Sequence, residues 1–178
     1  MGAQVLMLRG INLGPNRRVP MADLRALLSD AGFDDVRTYV QSGNVVLSST
    51  EAPAALERHT AALISEHFGF DVPVLARSRR QLAAVVKRNP LGDVAEDPKR
   101  YQVAFLADEL DPAVAQRLRG LAAPPEALTI EGREIYAWHP DGVARSKLWT
   151  AIAGKGLGTI ATARNWTTVT TLLEMAGQ

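Results

Sequence analysis

Two spacings of apolar residues alternate along this chain, and each switch between them marks the end of one element and the start of another. Residues 3–9 carry Val5, Leu6, Met7 and Leu8 without interruption and run into Gly10, the pattern of a buried strand. After the loop 10–19, Pro20 stands where a first helical turn accepts proline, and Leu24, Leu27, Leu28 and Ala31 follow at helical spacing up to Gly32. Residues 36–41 and 44–49 read as the two strands of a hairpin turning at Ser42 and Gly43. Pro53 opens a second helix, with Leu56, Leu63, Ile64 and Phe68 on one face and Gly69 at its end. Residues 72–77 form a fourth strand, which Pro73 assigns to a sheet edge. Strand, helix, strand, strand, helix, strand is the split order of the ferredoxin-like fold.

A further helix at 81–87 and the polar, Pro- and Gly-bearing stretch 89–99 come next, and then the pattern restarts. Residues 101–107 read as a strand, 112–121 as a helix opened by Asp111, 127–131 and 134–139 as a hairpin around Gly132 and Arg133, and 147–153 as a helix. A clean closing strand is missing. Gly154, Lys155, Gly156 and Gly158 lead instead to a final helix from Trp166, with Val169, Leu172, Leu173 and Ala176 on its apolar face. The expected class is therefore α+β: two ferredoxin-like (βαββαβ-type) halves packed together, the second modified at its C-terminal end. The expected division is 1–88 for the first half with its extra helix, 89–99 for a linker, and 100–178 for the second half with its C-terminal helix.

Composition narrows the classes. At 178 residues, 47% apolar and 22% charged, this is ordinary globular material, long enough to bury a sizeable core. The absence of cysteine removes disulfides, thiolate nucleophiles and Cys-ligated metals. With neither a signal-peptide pattern nor a run of roughly 20 apolar residues, a cytoplasmic location without membrane contact is expected. A pI near 8.1 is too mild for bulk nucleic-acid binding. His59 and His67 lie eight residues apart on one helix, too far to share a metal, and His139 ends a strand, so no metal and no cofactor are expected. Tyr101, Phe105, Tyr136 and Trp138 fall on strands of the second half, where burial in the core or packing against the first half is the expected use rather than the stacking of RNA bases.

Charge is distributed unevenly. No Asp or Glu occurs from Met1 to Ala22 or from Gly142 to Leu173, yet these stretches carry Arg9, Arg17, Arg18, Arg145, Lys147, Lys155 and Arg164. The residues between them, 23–141, hold 13 Lys and Arg against 18 Asp and Glu, while the whole chain is at +1. Both acid-free stretches are also rich in Gly, Asn, Ser and Thr, which present backbone amides and small hydroxyls to an anion. The loop Arg9–Arg18 follows a strand and precedes a helix, as phosphate loops do, but it has neither the Gly-Lys-Ser/Thr ending nor the dinucleotide spacing. Asn165 suits the cap of the last helix, and Arg164 beside that helix start opposes its dipole, which favours a negative partner nearby. Ser146 reads as the cap of the helix that begins at Lys147.

These segments resemble a known family. Leu8-Arg9-Gly10-Ile11-Asn12-Leu13-Gly14, Val19-Pro20-Met21, residues 36–46 around Gln41-Ser42-Gly43-Asn44, Arg145-Ser146-Lys147-Leu148 and Thr162-Ala163-Arg164-Asn165-Trp166 are similar to the hallmark segments of the bacterial domain of unknown function 1697 family. The resemblance implies an α+β fold of two ferredoxin-like halves and carries no established activity.

The polar motif positions are Arg9, Asn12, Gln41, Ser42, Asn44, Ser146, Lys147, Thr162, Arg164 and Asn165. They are expected to gather in a cleft between the halves and to bind a small phosphate- or carboxylate-bearing ligand or a nucleotide. A short nucleic-acid segment is a weaker version of the same expectation. An enzyme acting on a phosphorylated metabolite through Lys147 or Ser146 is one alternative, with no credible general base in sight, and a protein-interaction module is another. No catalytic residue and no oligomeric state are read from the sequence.

Overall fold

The apolar run near the N-terminus becomes β1 (Gly2–Leu8), a central strand buried along most of its length, in a computed structural model that describes residues 1–178. Around it are α1 (Met21–Asp30), β2 (Asp34–Tyr39), β3 (Asn44–Ser49), α2 (Pro53–Phe68) and β4 (Val74–Ser78). The strands form an antiparallel sheet in the order β2-β3-β1-β4. β4 is an edge strand, as Pro73 just before it requires of a residue with no N–H to donate. After α3 (Arg79–Arg88), the chain runs through β5 (Tyr101–Leu106), α4 (Pro112–Leu121), β6 (Ala127–Glu131), β7 (Glu134–Trp138), α5 (Lys147–Ala153), β8 (Ala161–Asn165) and α6 (Trp166–Met175). A second antiparallel sheet has the order β6-β7-β5-β8. The molecule is thus α+β, with two four-stranded sheets, each carrying helices. Two units divide the chain: Met1–Ala84 with Thr171–Gln178, and Val85–Thr170.

In the first unit, alternation along the strands sends Leu6, Leu8, Val45, Leu47, Val74 and Ala76 to the face that packs on Leu24 and Leu28 of α1 and Leu56 and Ile64 of α2. Each of the Val, Leu and Ile side chains among them contributes about 1.5–3 kcal/mol when fully buried. The opposite face is also buried, through Val5, Met7, Val46 and Leu75. Arg77 lies on that face, across from Val5, and is only 1% exposed. Its Nη1 donates to the Ala76 carbonyl at 3.0 Å. Nothing in the sequence pattern marks this arginine as buried. Arg37 of β2 donates to the Met175 carbonyl at 2.8 Å, a cation at the end of α6 where the helix dipole favours one.

In the second unit, Ala104, Leu106, Ile135 and Ala137 face Leu118 of α4 and Leu148 and Ile152 of α5. Tyr101, Phe105, Tyr136 and Trp138 are buried, so their rings are core and offer no stacking surface. Tyr101 stacks on Trp166 with ring centroids 4.7 Å apart. The Tyr136 hydroxyl donates to the Val85 carbonyl at 3.3 Å and accepts from Arg88 Nη1 at 3.4 Å. Burial pushes both phenols up to about 12. One expectation is corrected here. The second half does close with a strand: β8 pairs with β5 from Gln102↔Asn165 to Leu106↔Ala161. Its residues are small or polar, and only the long-range pairing with β5 makes them a strand.

Candidate functional site

The polar motif residues belong to both units, and each group has its own geometry. In the first unit, Asn12 adopts φ +55, a conformation asparagine tolerates better than most residues. Its side chain closes the 9–19 loop. Nδ2 donates to the carbonyls of Val19 at 2.9 Å and Gln41 at 2.8 Å, and Oδ1 accepts from the Val19 N–H at 2.9 Å. Gln41 therefore meets Asn12 through its backbone. Asn44 is fully buried and donates to the Tyr39 carbonyl at 3.2 Å and the Ser42 hydroxyl at 2.9 Å, which shapes the β2–β3 turn. Gly43 in that turn has φ +78, and a Cβ there would sit 2.7 Å from the Leu8 Cβ. The Leu8 N–H donates to the Gly43 carbonyl at 2.8 Å, tying the turn to β1. Arg9, the residue after Leu8, is partly buried, and its backbone N–H donates to the Pro73 carbonyl at 2.9 Å. Arg17 donates to the Gly10 and Asp71 carbonyls and lies 5.1 Å from the Phe70 ring centroid, which commits it to holding the loop.

In the second unit, Thr162 and Arg164 point to one face of β8. Arg164 Nη1 donates to the Thr162 hydroxyl and the Ala163 carbonyl, both at 2.8 Å. Burial lowers its guanidinium to about 10. Asn165 caps α6, its Oδ1 accepting from the Thr168 N–H at 2.9 Å. Ser146 likewise caps α5, accepting from the Trp149 N–H at 3.0 Å. Ser146 is buried, and the hydrogen bond of its hydroxyl is to a backbone N–H rather than to a basic side chain.

Ser146 and Lys147 also line a groove of about 700 Å³, whose walls are residues 121–126 and 141–147. This volume is in the range of small-molecule sites. The walls meet for a reason in the hairpin. Ala127 pairs with Trp138, so the chain entering β6 and the chain leaving β7 emerge side by side at the same sheet end. Glu126 and His139 are the next residues outward, and His139 Nδ1 bonds Glu126 Oε1 at 2.8 Å. His139 is fully buried, with Trp149 edge-on to its ring at 5.5 Å, while Glu126 keeps 18% of its side chain exposed. The His139 carbonyl accepts from the Gly142 N–H at 2.9 Å, which attaches the second wall to the same residue. Arg145, Lys147 and Asp141 are exposed on the groove, and none of them forms a salt bridge or hydrogen bond through its side chain. Leu121, Pro124, Pro125 and Ala144 supply an apolar lining.

Sequence reasoning named Ser146 and Lys147 but passed over Glu126, Asp141 and Arg145 as groove residues and His139 as their support. The available signal was the pairing of two turn-forming segments, Pro124-Pro125 before one hairpin strand and Pro140-Asp141-Gly142 after the other. No group of three or more His, Asp or Glu is gathered in a way that could hold a metal ion. No helix is long and apolar enough to cross a membrane.

The family model described as Protein of unknown function (DUF1697) matches residues 1–136. The chain belongs to this family. The match ends within β7, so the second groove wall and the segment 162–166 lie beyond it. No protein of curated function matches the chain. A solved structure of a conserved bacterial protein from Streptococcus pneumoniae is similar in fold, with a TM-score of 0.80 and 24% identity over 98% of each chain.

Proposed function

We propose that this chain binds a small ligand bearing a phosphate or carboxylate in the groove of its second unit, with Arg145 and Lys147 meeting the anionic group. The supporting observation is the placement of these two exposed cations, with no protein partner for either, on the wall of a groove that is partly apolar and of ligand size. We read each half as ferredoxin-like, which the repeated strand order β2-β3-β1-β4 and β6-β7-β5-β8 supports, and the ligand as a cytoplasmic metabolite or nucleotide. Of the ten polar motif residues, Lys147 is read as a ligand contact and Ser146 as the cap that positions it. Arg9, Asn12, Gln41, Ser42 and Asn44 are read as supports of the 9–19 loop and its neighbouring turn, and Thr162, Arg164 and Asn165 as supports of β8 and α6.

Calorimetric titration with inorganic phosphate, pyrophosphate and small dicarboxylates tests this. One site per chain is expected, and Arg145→Ala and Lys147→Ala are each expected to weaken binding about tenfold, equivalent to ~1.4 kcal/mol. Because both side chains are exposed and make no internal bond, the melting temperature is expected to stay unchanged. A double variant that binds every anion as the parent does overturns the proposal.

A further inference from the structure

Resting on the groove reading above, we infer that the ligand is a zwitterion: a molecule in which an ammonium and a carboxylate or phosphate are joined by a short apolar stem. The charges of the groove are balanced rather than positive. Arg145 and Lys147 are matched by Glu126 and Asp141. A ligand with negative charge alone would gain from the two cations and be repelled by the two carboxylates, whereas a zwitterion satisfies both sets.

Glu126 is the better built of the two acceptors. His139 Nδ1 donates to its Oε1 at 2.8 Å, and Oε2 has no protein partner. His139 cannot swing away. It is fully buried, its backbone N–H donates to the Arg100 carbonyl at 3.1 Å, its carbonyl accepts from the Gly142 N–H, and Trp149 stands against its ring. The carboxylate is therefore fixed at the groove wall with one oxygen committed to holding it there and the other available to an N–H donor, the arrangement expected of a preorganised site. Asp141 adds a second negative charge on the wall that carries the cations, and the side chains of Pro124, Pro125 and Ala144 line the space a stem would cross.

Matched pairs of compounds test the inference: 4-aminobutyrate against butyrate, and phosphoethanolamine against ethyl phosphate. Each pair keeps the anionic group and removes the ammonium, and the two pairs separate a carboxylate source from a phosphate source. The amino member of at least one pair is expected to bind about tenfold more tightly. Glu126→Gln is expected to cut that preference to about threefold while the affinity for the member without an amine holds or rises. Asp141→Asn, at an exposed residue with no internal bond, is expected to reduce the preference about threefold without affecting folding, so the test survives if Glu126→Gln fails to fold. If the compounds without an amine bind as tightly as their partners, the zwitterion inference is overturned and the anion groove stands. If none of the four binds and inorganic phosphate is ignored too, the groove reading itself falls.

Discussion

Asn12 makes three hydrogen bonds from one amide, and two of them reach the buried Val19 backbone. Asn12→Ala leaves the Val19 N–H and two carbonyls without their partner and puts alanine at a positive φ. A loss of ~2–4 kcal/mol is expected, read as a lower midpoint in urea denaturation, and Asn12→Asp is expected to recover none of it, because a carboxylate oxygen in place of Nδ2 faces the Val19 and Gln41 carbonyls it cannot donate to. Glycines in the same region separate by the same reasoning. Gly43→Ala meets both the Leu8 Cβ and a left-handed backbone, and is expected to cost at least ~2 kcal/mol. Gly14 has open space and no positive φ, so Gly14→Ala is expected to be neutral or to stabilise by about 0.4–1 kcal/mol. Equal melting temperatures for the two alanine variants would contradict this account of the loop. The sequence showed that Asn12 and Asn44 were unusual but not why. A polar residue in a glycine-rich loop looks the same whether its amide faces a ligand or the backbone of its own turn.

The elements that were legible carried a strong local signal: β1 through its unbroken apolar run, α2 through Pro53 and Gly69, and the β6–β7 hairpin through Gly132. β8 was missed because Ala161, Ala163, Arg164 and Asn165, all its residues but Thr162, have little strand propensity of their own, and their conformation comes from β5, more than fifty residues earlier. The groove was missed for a related reason. Glu126 and His139 become neighbours only once Ala127 pairs with Trp138. Packing within the second unit also predicts a pH dependence. Burial raises Tyr101 and Tyr136 from 10.0 to about 12, so between those values the unfolded chain releases protons that the folded chain holds. Stability is therefore intact below pH 10 and falls as pH rises toward 12, and Tyr136→Phe is expected to flatten part of that fall in denaturation measured at pH 9, 10 and 11. A phenolate absorbance titration complete by pH 11 contradicts the burial argument.

For the molecule as a whole, the unequal spread of charge along the chain takes on a local meaning. The acid-free stretch begins at Gly142 and supplies Arg145 and Lys147, while Glu126 and Asp141 come from the acid-rich stretch that ends there. The groove lies where these two stretches meet, so its balance of charge follows from the sequence once the hairpin has formed. Family membership places the chain among relatives without assigning it an activity. The groove's chemistry therefore carries the functional reading. Its most direct test is a titration of the isotope-labelled protein with inorganic phosphate, followed through backbone amide resonances. Saturable shifts confined to residues 121–126 and 141–147, and lost in the Arg145→Ala, Lys147→Ala double variant, are the predicted result. Shifts centred on the 9–19 loop or on residues 162–166, or none at all, would contradict it.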